Sequence, residues 1–176
     1  TLKNVLCWAD GAADKTVEIK GDATLRNVTA YGGTEAGLRV VGYDICACDR
    51  FTVTLINTIV WAPLSTDLSI TSDLPDVTIK PTYSSYRTVD AVEEGADMRI
   101  IKSATNQTKA GMRPRFIDAG AGNFRALAGS PVIGKGVDAA ANGPRDLDGR
   151  PRETGDRTDI GAYEYSPPST TITGGP

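Results

Sequence analysis

The residues able to do chemistry in this 176-residue chain are few, because it contains no histidine. Ser-His-Asp and Cys-His catalysis are excluded, as are His-ligated zinc and haem. Carboxylates, Lys, Arg, Tyr and Cys remain. Asp146-Leu-Asp148-Gly149 sets two carboxylates two residues apart. Such oxygens suit a hard cation, so calcium at Asp146 and Asp148 is one reading. The other is a structural Asp-Gly turn, since the longer ligand series and closing Glu of a calcium loop are missing. No other cofactor is implied. Cys7, Cys46 and Cys48 allow one disulfide plus a spare thiol, or three free thiols. Three cysteines without His make a poor zinc set.

Two further rows of residues come from an internal repeat. Thr1-Leu-Lys-Asn-Val-Leu-Cys-Trp8 returns as Thr24-Leu-Arg-Asn-Val-Thr-Ala-Tyr31 and as Thr54-Leu-Ile-Asn-Thr-Ile-Val-Trp61. A degenerate copy reads Thr78-Ile-Lys-Pro-Thr-Tyr-Ser-Ser85. A second apolar segment follows each of the first three: Val17-Glu-Ile19, Leu38-Arg-Val40 and Leu68-Ser-Ile70. The repeat aligns Lys3, Arg26 and Lys80 on an outward position, interrupted by Ile56, where they could meet an anionic polymer. It also aligns Trp8, Tyr31 and Trp61. Facing outward, these rings would form a strip for stacking on sugars; facing inward or under a loop, they are packing.

The elements that must position these rows are strands. Val, Ile, Thr and aromatics dominate, and apolar residues alternate with polar ones. The inward parity flips at Asn4, Asn27 and Asn57, which predicts a tight bend there, because Asn tolerates left-handed backbone geometry. One such unit cannot bury its apolar face alone, but stacked copies can. The expected fold is all-β: a right-handed parallel β-helix, or solenoid, of about four to five coils with a C-terminal loop-rich cap, its coils roughly 4.8 Å apart. Asn4, Asn27 and Asn57 would then form a hydrogen-bonded ladder. Residues 1–104 hold the coils, 105–165 the last strand and cap, and 166–176 a flexible Pro/Ser/Thr/Gly tail. The offsets of 23, 30 and 24 residues between copies place an insertion at Tyr43–Arg50, which contains Cys46 and Cys48. Thr1 enters a repeat directly, so the first coil is expected to be covered by a partner subunit or by upstream chain.

The C-terminal half is motif-like: Pro114-Arg-Phe-Ile-Asp118, Gly122-Asn-Phe-Arg-Ala-Leu127, Gly129-Ser-Pro-Val-Ile133, Asp146-Leu-Asp-Gly-Arg-Pro-Arg152 and Asp159-Ile-Gly-Ala-Tyr-Glu164. These resemble the closing elements of bacterial secreted and surface right-handed parallel β-helix proteins of the choice-of-anchor Q type. Asn57-Thr-Ile-Val-Trp61 and Tyr83-Ser-Ser85 resemble the last coils of that family. The resemblance spans residues 24–165 and implies the β-helix fold and an extracellular, cell-surface or periplasmic setting. It implies no single activity.

Composition narrows the function classes. Net charge is −3, with 19 basic and 22 acidic residues, which argues against nucleic acid as a partner. No apolar run approaches the ~18 residues of a membrane helix, so no direct membrane span is expected. No signal peptide or lipidation motif is read. The leading expectation is a non-catalytic extracellular or cell-surface module, a structural or assembly subunit with polysaccharide as a candidate contact. The alternative is a fragment of a polysaccharide lyase or another carbohydrate-active enzyme. A lyase would need Lys or Arg as base beside carboxylates, yet the positions equivalent to Glu18 hold Arg39 and Ser69.

Overall fold

The computed structural model describes residues 1–9, 13–42, 50–72, 76–93, 98–153 and 155–168. Cys46, Cys48, most of the insertion and most of the expected tail lie outside these residues. The described fold is all-β, with two single-turn 3₁₀ helices.

The chain alternates between two parallel sheets. Strands β1 (Leu2–Trp8), β3 (Ala23–Tyr31), β5 (Phe51–Ile56), β8 (Val77–Thr82) and β10 (Arg99–Ile100) form the first, with β6 (Ile59–Trp61) also pairing β3. Strands β2 (Lys15–Ile19), β4 (Ala36–Gly42), β7 (Thr66–Ser72) and β9 (Val89–Glu93) form the second. Parallel strands need a crossover, and each sheet supplies the crossover of the other.

Register follows the repeat through its first three copies. Leu2 pairs Leu25, which pairs Leu55; Cys7 pairs Ala30, which pairs Val60; Trp8 pairs Tyr31, which pairs Trp61. In the second sheet Val17, Leu38 and Leu68 share a column, as do Ile19, Val40 and Ile70. These columns close on one another as a single core: Leu25, Val28, Leu55, Leu38, Val40, Leu68 and Ile70 have no exposure. Asn4, Asn27 and Asn57 adopt φ of 54°, 53° and 49°. A left-handed residue turns the strand by one step of its pleat, which lets Leu25 and Val28, three apart, both point inward.

The fourth copy departs from the sequence alignment. Thr78 pairs Thr52, not Thr54, and Lys80 pairs Thr54. Tyr83, at φ 45°, takes the bend position that Asn holds in the other layers. The slip is two residues, so inward and outward faces are preserved. Lys80 therefore does not share the column of Lys3 and Arg26.

The C-terminal segment begins against the fourth layer, where Gln107 pairs Ser85 and the side chains of Thr105 and Asn106 accept from Tyr83 N and Ser84 N. From Arg113 it returns along one side of the stack, beside the bends, as far as the first layer. Its antiparallel hairpin, β11 (Phe116–Asp118) with β12 (Asn123–Ala126), packs on the aromatic column. Val137, Asn142, Arg145, Arg152 and Gly161 reach the bends. The physical reason is demand: left-handed bends leave backbone and amide groups turned sideways, and buried polar groups need partners.

Leu38 lies between two neighbouring layers with no exposure. Leu38→Ala should lower unfolding free energy by about 2–5 kcal/mol, the range for a leucine truncated in a close-packed core. Urea denaturation of both proteins measures it.

Candidate functional site

The three bend asparagines and the motifs of the second half come together at one seam, where the C-terminal strap meets the bends. Each bend amide gives one hydrogen to a strap carbonyl: Asn57 Nδ2 to Val137 O at 2.9 Å, Asn27 Nδ2 to Asn142 O at 3.2 Å, and Asn4 Nδ2 to Arg145 O at 2.8 Å. Along the stack, Asn57 Nδ2 also donates to Asn27 Oδ1, and Asn27 Nδ2 to Asn4 Oδ1, both at 3.2 Å. The strap answers with its own donors, Val137 N to Asn57 Oδ1 at 2.7 Å and Gly161 N to Asn57 O at 2.8 Å. Gly136 and Gly161 make this approach feasible. A Cβ on Gly136 would stand 3.0 Å from Asn57 Oδ1, and one on Gly161 2.8 Å from Ile59 Cδ1.

The basic pair flanks the ladder. Arg26 Nη1 donates to Asn142 Oδ1 at 2.9 Å, and Lys3 reaches the strap at Gly143. Lys80 stands apart on the exposed face of β8. The aromatic column is roofed by the hairpin rather than open to sugars. Tyr31 packs on Phe124 at 4.9 Å and on Phe116 at 5.8 Å, and Trp8 packs on Phe124 at 5.9 Å. Trp61 is 5% exposed, joins Ile59, Val132 and Ile160, and carries Arg87 5.1 Å from its ring centre. Trp8 alone keeps an exposed face, at 48%. The reason is apolar demand: the hairpin's own Phe116 and Phe124 need a partner, and the column is the nearest aromatic surface.

Below the ladder lies a buried ionic cluster. Arg152, 1% exposed, donates from Nη1 to Glu164 Oε1 at 2.9 Å and to Gly161 O, and from Nη2 to Asn4 Oδ1 at 2.8 Å and to Ala162 O. Its Nε has no partner among the described residues. Asp159 accepts from Gly134 N and Tyr165 N, and Glu164 accepts from Asp159 N. Burial, reinforced by the Asp159 charge, pushes the Glu164 carboxyl up to about 7 despite Arg152. Burial likewise raises Asp159.

Asp146 and Asp148 do not fit a cation. Asp146 spends its oxygens on three backbone amides, those of Asp148, Arg150 and Glu164, at 2.8–2.9 Å. Asp148 holds Arg125 in a two-pronged pair at 2.6 and 2.7 Å. Among the described residues no three His, Cys, Asp or Glu side chains gather as metal ligands. The pair is an Asp-Gly turn anchor. A cleft of about 410 Å³ opens beside the cluster, lined in part by Ile117, Leu127, Arg150, Glu164 and Tyr165. Cys7 is a free, half-buried thiol whose burial raises its pKa above the ordinary value.

Asp67 went unread in sequence. It is fully buried and accepts from the amides of Ala62, Arg87 and Thr88, joining two successive layers. Its only sequence signal is an acidic residue at the start of a strand. No family model, curated protein or solved structure matches the chain.

Two outcomes check this site. Asn27→Ala loses the ladder bonds and leaves an alanine in left-handed geometry, whereas Asn27→Gly loses the bonds alone. Both should destabilise, the alanine by about 1 kcal/mol more, since that is the order of the left-handed penalty. Thermal unfolding of the two variants compares them. Glu164 keeps a proton in the folded state between its ordinary 4.5 and about 7, where the unfolded chain has released it. Stability therefore falls as pH rises through that window, by up to about 1.4 kcal/mol per pH unit. Glu164→Gln stays neutral throughout, so a Tm series from pH 4 to 8 should show a shallower decline than wild type.

Proposed function

We propose that the chain is a right-handed parallel β-helix module of the choice-of-anchor Q type, acting outside the cell as a non-catalytic structural or assembly subunit. The observation that carries this reading is the use of the motif residues. Asn4, Asn27, Asn57, Arg26, Trp61, Asp146, Asp148, Arg152, Asp159 and Glu164 are all spent on joining strap to layers or on fixing strap turns. Two sheets that exchange strands at every step, with columns in register, support the solenoid form.

Assembly is favoured over polysaccharide binding by the same geometry. The aromatic column that would stack on sugars is packed against β11 and β12.

The test is a panel of neutral and uronate-containing polysaccharides. With the purified protein, the expected result is no new reducing ends, no unsaturated product and no retention on immobilised polymer. Release of product would overturn the module reading in favour of a lyase or hydrolase fragment. Retention without product would restore a carbohydrate-contacting role.

A further inference from the structure

We propose that the cleft between the strap's hairpin and its turn at 146–150 binds a small carboxylate with an apolar body, the charge paired with Arg150 and the body laid on Ile117 and Leu127. This site lies on the outer face of the strap and goes beyond the module reading above.

The hairpin has two faces. Successive side chains of a strand point to opposite sides. Phe116, Phe124 and Ala126 pack toward the aromatic column and the seam. Ile117, Arg125 and Leu127, the residues that follow each of them, therefore turn away from the stack. A hairpin face turned from the core is ordinarily polar, yet Ile117 is 53% exposed and Leu127 46%. Neither belongs to the aliphatic core or to the cluster around Trp61. Both line the cleft of about 410 Å³, whose other walls include Tyr165 and Pro168. A concave, mainly apolar space of this size with a few polar groups suits a small molecule.

One of those polar groups is unspent. Arg125 and Arg150 both line the cleft. Asp148 lies beside them, and Arg125 takes both of its oxygens. Arg150 Nη1 stays 3.8 Å from Asp148 Oδ2, with its side chain 44% exposed. Among the described residues its guanidinium makes no hydrogen bond. The other carboxylates nearby are also engaged: Asp146 on three backbone amides, and Glu164 on Arg152 and the amide of Asp159. The Arg150 backbone is anchored at both its N–H and its C=O by Asp146. The turn thus presents a guanidinium at the rim of an apolar cleft with no internal acceptor.

The ligand class follows from that pairing. A carboxylate meets a guanidinium through two parallel hydrogen bonds. A phosphate or sulfate would press further charged oxygens against Ile117 and Leu127, where they lose water without replacement. A sugar would do the same with its hydroxyls. A molecule with one carboxylate and an otherwise apolar body satisfies both walls.

The probe is 1-naphthylacetate, titrated at neutral pH against the intact chain and followed by amide chemical shifts. The expected result is saturation at or below about 1 mM, ordinary for a ligand of this size, with shifts centred on Ile117, Leu127, Arg150 and Tyr165. The neutral 1-naphthylacetamide should bind about tenfold more weakly, the scale of one lost charge-assisted pair. Arg150→Gln should weaken the acid about tenfold and leave the amide unchanged, whereas Leu127→Ser should weaken both. Acid and amide are compared on the unaltered protein, so that result does not depend on how a variant folds. No saturation, equal affinity for acid and amide, or shifts centred elsewhere overturns the proposal. So does sedimentation with anionic phospholipid vesicles in the absence of naphthylacetate binding, which would assign the exposed Ile117, Leu127 and Arg150 to a membrane surface. The polysaccharide panel gives its result whichever way this titration falls, so the two readings fail separately.

Discussion

Three asparagines in left-handed geometry hold this molecule in its shape. Each bends a strand so that residues on both sides of the bend reach the core, and each turns an amide sideways. The bends would be a weakness if those amides were buried without partners, at a cost of about 1–3 kcal/mol each. The fold answers with two perpendicular sets of bonds. One set runs along the stack from Asn57 to Asn27 to Asn4, and the other runs outward to Val137, Asn142 and Arg145. The first sets the spacing of layers, and the second recruits the C-terminal segment. The aromatic column and the hairpin above it add apolar area to the same seam.

The buried cluster follows from that recruitment. Arg152 reaches Asn4 from beneath the ladder, and a buried guanidinium needs a counter-charge and acceptors. Glu164 Oε1 and the carbonyls of Gly161 and Ala162 supply the acceptors, and Asp159 is the neighbouring carboxylate. Asp159 adds a second carboxylate, so the cluster carries more acid than base and Glu164 retains its proton toward neutral pH. The strap is thus a polar lock on a polar seam, beside a core that is almost wholly aliphatic. The two halves of the chain depend on each other, since the first layer's Asn4 is completed by residues more than 140 positions away. The motif residues are spent on joining strap to layers, which is why a structural rather than a catalytic role is the reading proposed here.

Within the first three copies the sequence by itself determined the strands, their columns and their bends. Leu2, Leu25 and Leu55, or Trp8, Tyr31 and Trp61, are placed in register by repetition, and Asn is one of the few residues that accepts the bend. Val17, Leu38 and Leu68 were equally legible, because period-two alternation needs only local information. The fourth layer was not legible: Tyr83 gives no hint of left-handed geometry, and anchoring the copy on Thr78 moved Lys80 two places. The motifs of the second half announced turns and close glycines but not their partners. Whether the aromatic column is a strip or a floor, and whether the last third caps an end or lines a side, depend on contacts 80 to 148 residues apart. Only the tertiary structure decided these, because a carboxylate, an indole or a glycine has the same local preferences in either arrangement, and what differs is the distant group that satisfies it.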